Sequence, residues 1–525
     1  MTSASSSPWA PLRRPWFRAL WIATLVSNIG TWMHEVGAGW LMVTLNPSPG
    51  MVSLVQAATA LPAFFLALPA GALADIVDRR RYLLATQLWM LACAALLAAL
   101  TAAGHVDAVS LLAITFALAC GAAMTTPAWA ATVPELVPKE ELHAAIALNS
   151  TGVNVARAIG PAIAGALVAA SGPAIAFVLN AVSFLGVMVV LLRWRREARP
   201  SALPPENFIG AMRAGLRYVK SAPRLQCVML RAFIFFAFGS ALWSLLPLVA
   251  RGTGGGAQMY GVLLGCIGAG AVMAALLLPR YRARWGRDRL VHGATALLAV
   301  AMALAAASRS PLVLVPAMLM AGMAWLATLS TLHVSAQTAV PAWVRARALA
   351  VYLVTFSLGM TGGSVCWGWV ASHTNVGTAL DIAAAVSLLA AVLVRRHTLG
   401  GQDLADAHAA SWPVPETAGD IEPDQGPVLV TVEYRIDPAD APVFERTMRE
   451  LRRIRRRDGA MLWGLFRDAA DDTRYLETFL VESWVEHLRQ HHRATISDQA
   501  INDRVRAFHR GAGAPVVTHL VAAGQ

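Results

Sequence analysis

The chain has 525 residues, of which 57% are hydrophobic and only 14% are charged, and its formal net charge is +12. Soluble proteins average about 25% charged residues, so this composition excludes an ordinary soluble protein and indicates an integral membrane protein. The five cysteines lie inside apolar runs without metal-ligand spacing, and nothing in the sequence suggests a disulfide framework or a metal site.

The N-terminal tail, residues 1–16, is Ser-rich and basic. A long apolar span follows it, rather than a short apolar core with a small-residue cleavage site, so we expect the tail to stay uncleaved and cytoplasmic.

Twelve apolar runs follow, each about as long as the ~20 residues that a helix needs to cross a bilayer. The segment 193–224 divides them into an N-terminal half, 17–192, and a C-terminal half, 225–396. The runs lie near 17–45, 51–71, 82–103, 108–130, 144–170, 173–192, 226–250, 257–279, 290–308, 311–334, 347–371 and 375–394.

The basic residues fall mainly in alternate connections, such as Arg79–Arg81, Arg280–Arg289 and Arg395–Arg396. This asymmetry predicts a multi-pass membrane protein with its basic side and both termini in the cytoplasm. The basic residues then face anionic lipid headgroups, and nucleic acid is not expected as a partner.

The 193–224 loop repeats Phe208, Met212, Leu216 and Val219 at helical spacing among basic residues. This pattern predicts either an amphipathic helix on the inner membrane surface or a helix that only tethers the two halves.

The two halves repeat one pattern at an offset of 203 residues, in which Val137-Pro138 and Gly160 match Val340-Pro341 and Gly363. Such a repeat indicates duplicated six-helix bundles with a binding site between them near the midplane.

A change in composition marks a linker at 397–427 and then a soluble α/β domain at 428–525. Within this domain we predict strands at 428–436, 461–467, 475–482 and 515–521, and helices at 440–457, from 483 and at 498–509.

In the first run, Asn28, Trp32, Glu35 and Gly39 fall along one stripe, with His34 beside Glu35. A carboxylate inside a span is costly and suggests a pathway for protons or for a cationic substrate. The alternative is that the run is overlong and that Glu35 lies in water near the outer interface.

In the fifth run, Arg157 follows Asn154 by about one turn, and a buried Arg needs an anionic or carbonyl partner. It pairs either with a structural acceptor across the bundle or, in the cavity, with Glu35 or an acidic substrate. Gly160, Pro161 and Gly165 are expected to permit close helix packing and a bend.

The stretch Gly71-Ala72-Leu73-Ala74-Asp75 followed by Arg79-Arg80-Arg81, together with Arg157 to Gly165 in run five, resembles two motifs of the major facilitator superfamily. The resemblance covers residues 16–396 and is closest to the drug-efflux branch that includes the enterobactin exporter and related secretion effectors. It implies an all-α fold of twelve transmembrane helices in two six-helix halves.

The resemblance also places the start of run eleven beside Gly71 and Asp75, where the pairing would lock one conformation. The sequence departs from the motif at Ile76 and Asp78, so the charge relay of this loop runs through Arg79, Arg80 and Arg81 or is altered. In the second half, the corresponding turn around Pro279 to Arg289 keeps its basic residues but has no acidic partner at the helix end.

The C-terminal domain resembles ferredoxin-like α/β barrels of the antibiotic-biosynthesis monooxygenase type through Ser483-Trp484-Val485-Glu486-His487-Leu488, and this suggests homodimerisation. The histidines at 487, 491 and 492 fall on one predicted helix, but no Glu or further ligand completes a familiar metal-site spacing. A polar helix face is therefore expected rather than a metal site.

Asp381 and His333 are expected to make ordinary polar contacts. The sequence contains no phosphate-binding loop, so energy would come from an ion gradient and no cofactor is expected.

These observations predict a secondary active transporter, not an enzyme. It would be a proton-coupled exporter of small amphipathic or siderophore-like molecules that works by alternating access. The alternatives are an importer of the same fold and a membrane-anchored enzyme with a monooxygenase-like C-terminal domain.

Overall fold

The computed structural model describes residues 7, 9–194, 219–220, 222–340, 345–399, 421–422, 425–493 and 496–523. The amphipathic helix predicted around Phe208 lies outside the described residues, as do the side chains of Asp75, His491 and His492. The chain forms two compact units, which are described separately. The first comprises Met1–Pro205, Met229–His333 and Tyr352–Thr398, and the second Glu206–Val228, Val334–Val351 and Leu399–Gln525.

Twelve long helices are present in the described residues before position 399, which confirms the predicted helical architecture. Eleven of them are long and apolar enough to cross a membrane. The other, the first, has 31 residues and contains the polar side chains discussed above. The helices are α1 Pro15–Leu45, α2 Pro49–Ile76, α3 Arg79–Ala102, α4 Ala108–Leu136, α5 Leu142–Ser171, α6 Ala174–Arg193, α7 Pro223–Gly252, α8 Gly256–Arg284, α9 Arg287–Ala307, α10 Pro311–Thr338, α11 Arg345–His373 and α12 Val376–Leu393.

Short capped turns join several of these helices. The Ser48 side chain accepts a hydrogen bond from the backbone of Met51 at the start of α2, and Asp78 does the same for Arg81 at the start of α3. Asp107 and Ser110 form a reciprocal capping box at the start of α4. We call the side of the bundle where α1 meets α2 the Asn46 end, and the side where α2 meets α3 the Asp78 end.

The C-terminal domain contains the strands and helices that its sequence pattern predicts. They are β1 Val428–Arg435, α13 Ala441–Arg457, β2 Leu462–Arg467, β3 Arg474–Val481, α14 Trp484–Arg493, α15 Ile496–Arg506 and β4 Val516–Val521. The sheet has the order β2-β3-β1-β4, and every neighbouring pair is antiparallel.

One face of this sheet carries the domain core, into which Glu477 projects fully buried. Its carboxylate accepts hydrogen bonds from the Tyr434 hydroxyl at 3.1 Å, from Arg455 Nε at 3.1 Å and from Trp463 Nε1 at 2.9 Å. A buried carboxylate is tolerated only with such partners. Burial, together with the Glu477 carboxylate, raises the pKa of Tyr434 well above its ordinary value, so its hydroxyl remains a donor.

The opposite face of the sheet is apolar at one end. In the strand register, Leu462, Leu480, Leu429 and Leu520 are aligned in one row across all four strands. The two edge leucines are 65% and 51% exposed. Exposed apolar rows of this kind mark interaction surfaces on soluble domains.

Candidate functional site

The two halves of the helical bundle enclose a cavity of about 140 Å³. Helices α1, α2 and α4 contribute one wall, and α7 and α8 contribute the other. Its polar lining consists of Thr31, His34, Glu35, Gln56, Thr59, Thr115, Ser244 and Tyr260. Ala38, Val52, Val55, Leu118, Trp243, Pro247 and Leu264 are among the apolar residues that line it. The cavity therefore has the position that the internal repeat predicts, between the halves.

Glu35 is the carboxylate among the residues that line this cavity. It lies ten residues before Leu45, the last residue of α1, or about 15 Å along the helix axis. This position is well inside the helix and argues against the alternative that Glu35 sits in water at the helix end.

His34 also lines the cavity but is almost fully buried, and its ring packs on Phe177 of α6 with a centroid distance of 4.8 Å. Neither ring nitrogen has a hydrogen-bond partner among the described residues. Asn180, one turn further along α6, is also buried, and its amide has no partner there either. The α1–α6 contact therefore holds polar groups that are available to a water molecule or a proton.

Tyr260 of α8 brings the C-terminal half up to the stripe on α1. A methyl group at Gly39 would lie 2.8 Å from the Tyr260 hydroxyl oxygen, so the absence of a side chain at Gly39 makes room for this phenol. Tyr260 is buried and lies within electrostatic range of Glu35. Glu35 is therefore close to polar side chains of both halves, including Tyr260 of the C-terminal half.

Arg157 lies behind the cavity wall rather than in it, because it is absent from the lining residues. Its guanidinium carbon stands 5.4 Å from the centre of the Trp32 ring, and Glu35 is within its electrostatic range. No described residue forms an ion pair with Arg157, and its Nε has no hydrogen-bond partner there. Arg157 therefore lies against the Trp32 ring and near Glu35, and neither predicted pairing is seen as a direct ion pair among the described residues.

The glycine motif of α5 makes two close helix contacts. A methyl group at Gly160 would lie 2.7 Å from Trp32 Cβ of α1, and one at Gly165 would lie 2.8 Å from the Cα of Gly261 in α8. The Pro161 carbonyl oxygen also touches Gly261. The predicted close packing is therefore present, and it joins the two halves as well as two helices of one half.

The α8 side of this contact is also glycine. Gly261, Gly265 and Gly268 are spaced by four and three residues, so they share one helix face. Gly268 meets backbone atoms of Arg157 and Ala158, and Gly265 meets Ala158 and Ala162. We call this backbone contact between α5 and α8 the glycine seam.

At the Asn46 end the halves also meet on the other side of the cavity. The backbone nitrogen of Gly50 in α2 donates to Ser372 Oγ of α11 at 3.0 Å, and Gly368 of α11 faces Ser53. Leu248 of α7 packs on an apolar cluster that includes Leu41 of α1. The bundle is therefore closed by direct contacts at this end.

At the Asp78 end, no described atom lies within 4 Å of where a side chain at Gly71 would begin. Residues 341–344, which lead into run eleven, lie outside the described residues, as do the side chains of Asp75 and Arg347. The predicted approach of run eleven to Gly71 and Asp75 therefore stays a prediction.

The described side-chain contacts of Arg79 and Arg80 lie within their own half. Arg79 forms a salt bridge to Glu135 of α4 at 2.6 Å, and Arg80 donates to the Leu191 carbonyl oxygen of α6 at 2.7 Å. Arg81 is exposed, and its backbone nitrogen donates to Asp78 Oδ1. Asp78, which departs from the family pattern, is thus the N-cap of α3. Arg79 and Arg80 attach α3 to α4 and α6.

The first turn of α9 supplies an acid in the second half. Asp288 forms a 2.8 Å salt bridge with the buried guanidinium of Arg231. It lies after the end of α8 at Arg284, so it is not an acid at that helix end. The second half therefore carries an acid–arginine pair at a different position.

The other predicted positions lie outside the cavity lining. Asn28 is half-buried two turns from Glu35, and the Asn154 amide donates to its own helix at the Ser150 carbonyl oxygen. Asp381 is exposed, and His333 packs its ring against Tyr352 at 5.8 Å. Among the described residues no cluster of three or more His, Cys, Asp or Glu side chains could hold a metal ion.

The sequence matches the family described as "Transmembrane secretion effector" over residues 6–525, a range that includes the C-terminal domain. The chain is 24% identical over 278 residues to the Staphyloferrin A transporter of Staphylococcus aureus, covering 52% of this chain and 69% of that protein. It is 28% identical over 216 residues to the multidrug efflux pump Tap of Mycobacterium tuberculosis, covering 39% and 51%.

Solved transporters have the same fold. A crystal structure of the nucleoside transporter NupG superposes with a TM-score of 0.59 at 14% identity, covering 73% of this chain and 99% of that one. An auto-inhibited peptide transporter of the POT family superposes with a TM-score of 0.61 at 14% identity, covering 75% and 99%. The chain belongs to the transmembrane secretion effector family and is a membrane transporter of the major facilitator type.

Proposed function

We propose that the protein is a secondary active exporter that couples the outward movement of a small amphipathic or siderophore-like molecule to inward proton flow. The observation that carries this proposal is the cavity between the halves, with Glu35 in its lining and groups from both halves around it. An ionisable group inside a membrane bundle marks a substrate or proton pathway by default.

The relatives support the range of substrates. One is named as a transporter of staphyloferrin A and another as a multidrug efflux pump. The apolar part of the lining, with Trp243 and Leu264, suits an amphipathic molecule, and Glu35, Gln56 and Ser244 supply the polar contacts that orient it. In this mechanism Glu35, His34 and Arg157 serve the proton or substrate pathway, and Asn28 and Asn154 flank it.

The basic connections support an orientation with the Asp78 end and both termini in the cytoplasm. The bacterial relatives support a location in a bacterial inner membrane. The contacts at the Asn46 end then make this conformation closed to the outside. In the opposite conformation, Gly71 and Asp75 would approach α11 and the arginine-bearing loop would gate the cytoplasmic side.

Neither alternative has an observation that favours it. An importer would share every feature described here, and only the direction of coupled flow separates it from an exporter. For a membrane-anchored enzyme, the described residues of the C-terminal domain offer a buried carboxylate, Glu477, whose oxygens already accept three hydrogen bonds.

The test uses the purified full chain in liposomes that contain a trapped pH indicator. Compounds are first chosen by thermal stabilisation, because a ligand that binds only the folded state raises its apparent stability. We expect a stabilising compound to move protons in the direction opposite to its own movement. Movement of compound and protons in the same direction would favour the importer, and movement without protons would remove the proton coupling.

We also propose that the C-terminal domains of two chains pair through the leucine row of the open sheet face. Leu480→Lys should weaken the dimer at least about a hundredfold, since the two copies of a symmetric interface each lose the burial of one leucine, worth about 1.5–3 kcal/mol. Light scattering of the purified protein over a concentration series measures this, with Leu480→Ile as the control that keeps the apolar contact. A wild-type chain that stays monomeric at all concentrations would contradict the proposal.

A further inference from the structure

Helix α13 of the C-terminal domain has one buried face and one strongly basic face. Phe444, Met448, Leu451 and Arg455 point into the domain core. Five further arginines of the same helix are exposed and, at 100° per residue, fall within about a third of its circumference. We call Arg446, Arg449, Arg452, Arg453 and Arg456 the arginine face.

This positive charge is only weakly compensated within the domain. Of the two acids on α13, Glu450 pairs with Arg504 at 2.7 Å, and Glu445 accepts a 3.4 Å hydrogen bond from the Tyr475 hydroxyl. Among the described residues no carboxylate forms an ion pair with an arginine of the face. Arg452 stands over the Trp463 ring, 5.7 Å from its centre, which orients the guanidinium without neutralising it.

The domain is attached to a membrane-spanning bundle by a linker of limited reach. The linker at 397–427 has 31 residues, and a chain of that length spans at most about 110 Å even when fully extended. Exposed charges are screened beyond about 8 Å at physiological salt, so the arginine face acts only on a partner that is held close. The membrane surface is such a partner, because the tether keeps it at a high effective concentration.

We propose that the arginine face of α13 binds the phosphate headgroups of anionic lipids in the membrane that the chain spans. Guanidinium groups bind phosphate oxygens in pairs of hydrogen bonds, so arginine suits this partner better than lysine. Single-stranded nucleic acid is less well matched, since among the described residues no exposed aromatic side chain lies on this face to stack on bases. The proposal rests on the chain spanning a membrane and not on the direction or coupling of transport.

The test is chemical labelling of arginine with phenylglyoxal, read out by mass spectrometry, on the full chain in lipid nanodiscs. One set of discs contains phosphatidylcholine alone, and the other contains equal parts of phosphatidylcholine and phosphatidylglycerol. Labelling of the arginine face should fall severalfold in the anionic discs and recover in high salt, whereas exposed Arg467 on β2 should label equally in both. Equal labelling of the face in both discs would overturn the proposal.

A variant separates lipid binding from burial by the chain itself. In the triple variant Arg449→Gln, Arg453→Gln, Arg456→Gln, the side chains stay polar and unbranched at Cβ, and three of the five charges are removed. The remaining Arg446 and Arg452 should then label equally in the two kinds of disc. Protection that persists in the variant, or that appears with a short RNA but not with phosphatidylglycerol, would also contradict lipid binding.

Discussion

Glu35→Gln should abolish proton-driven transport and leave downhill exchange of substrate in place. Glutamine keeps the shape and polarity of the side chain but cannot take up or release a proton. The cavity would still hold substrate between Trp243 and Tyr260, while its lining would lose the carboxylate on which we base the coupling. The measurement is flux under an imposed pH gradient beside equilibrium exchange, both in liposomes with the full chain.

Asp381→Asn is the matched control, because Asp381 is an exposed carboxylate on α12 and does not line the cavity. Its removal should leave both fluxes unchanged. If Glu35→Gln also kept gradient-driven flux, Glu35 would have no part in the mechanism. If it lost exchange together with driven flux, Glu35 would act in substrate recognition rather than in coupling.

Gly261→Ala should disable the transporter through a single added methyl group. That group would lie 2.6 Å from the Cα of Gly165 and against the Pro161 carbonyl oxygen, and backbone atoms cannot move aside as the end of a side chain can. Overpacking of a close contact costs about 1–3 kcal/mol or forces the helices apart. We expect a lower melting temperature of the purified protein and a large loss of flux.

Gly186→Ala is the control for this substitution. A methyl group at Gly186, within α6, meets no described atom within 4 Å, and alanine in a helix is favoured over glycine by about 0.5–1 kcal/mol. This variant should be as stable as the wild type or slightly more stable. A Gly261→Ala protein with unchanged melting temperature and flux would show that α5 and α8 do not approach as closely as described.

The helices and their order could be predicted because apolar length and turn chemistry are local properties of the sequence. The runs beginning near 17, 82 and 173 correspond to α1, α3 and α6 within two or three residues at their starts. The strands of the C-terminal domain were found for a similar reason, since alternating residues such as Val428, Val430 and Val432 indicate one buried face.

The candidate site could be predicted only in part. Glu35 was found because a carboxylate inside an apolar run is conspicuous in any sequence. Its neighbours Tyr260, Gln56 and Thr115 are ordinary polar residues of other helices, and only the assembled bundle brings them together.

The α8 side of the glycine seam also has a signal in the sequence. The spacing of Gly261, Gly265 and Gly268 predicts a close contact on one helix face. The sequence does not show which helix packs against these glycines, because the partner depends on how the two halves associate. The pairing of Asp288 with Arg231 could not be predicted, because the two residues lie 57 positions apart on different helices.

The glycine seam has a further consequence for motion. Its atoms belong mainly to the backbone, so the facing surfaces have no long side chains that interlock. A small rotation of one half about this contact therefore requires no rotamer change and costs no side-chain entropy along the seam itself. The seam can serve as the axis of the movement between the two conformations. The free-energy difference between these conformations must then come from the cavity and from contacts at the Asn46 and Asp78 ends.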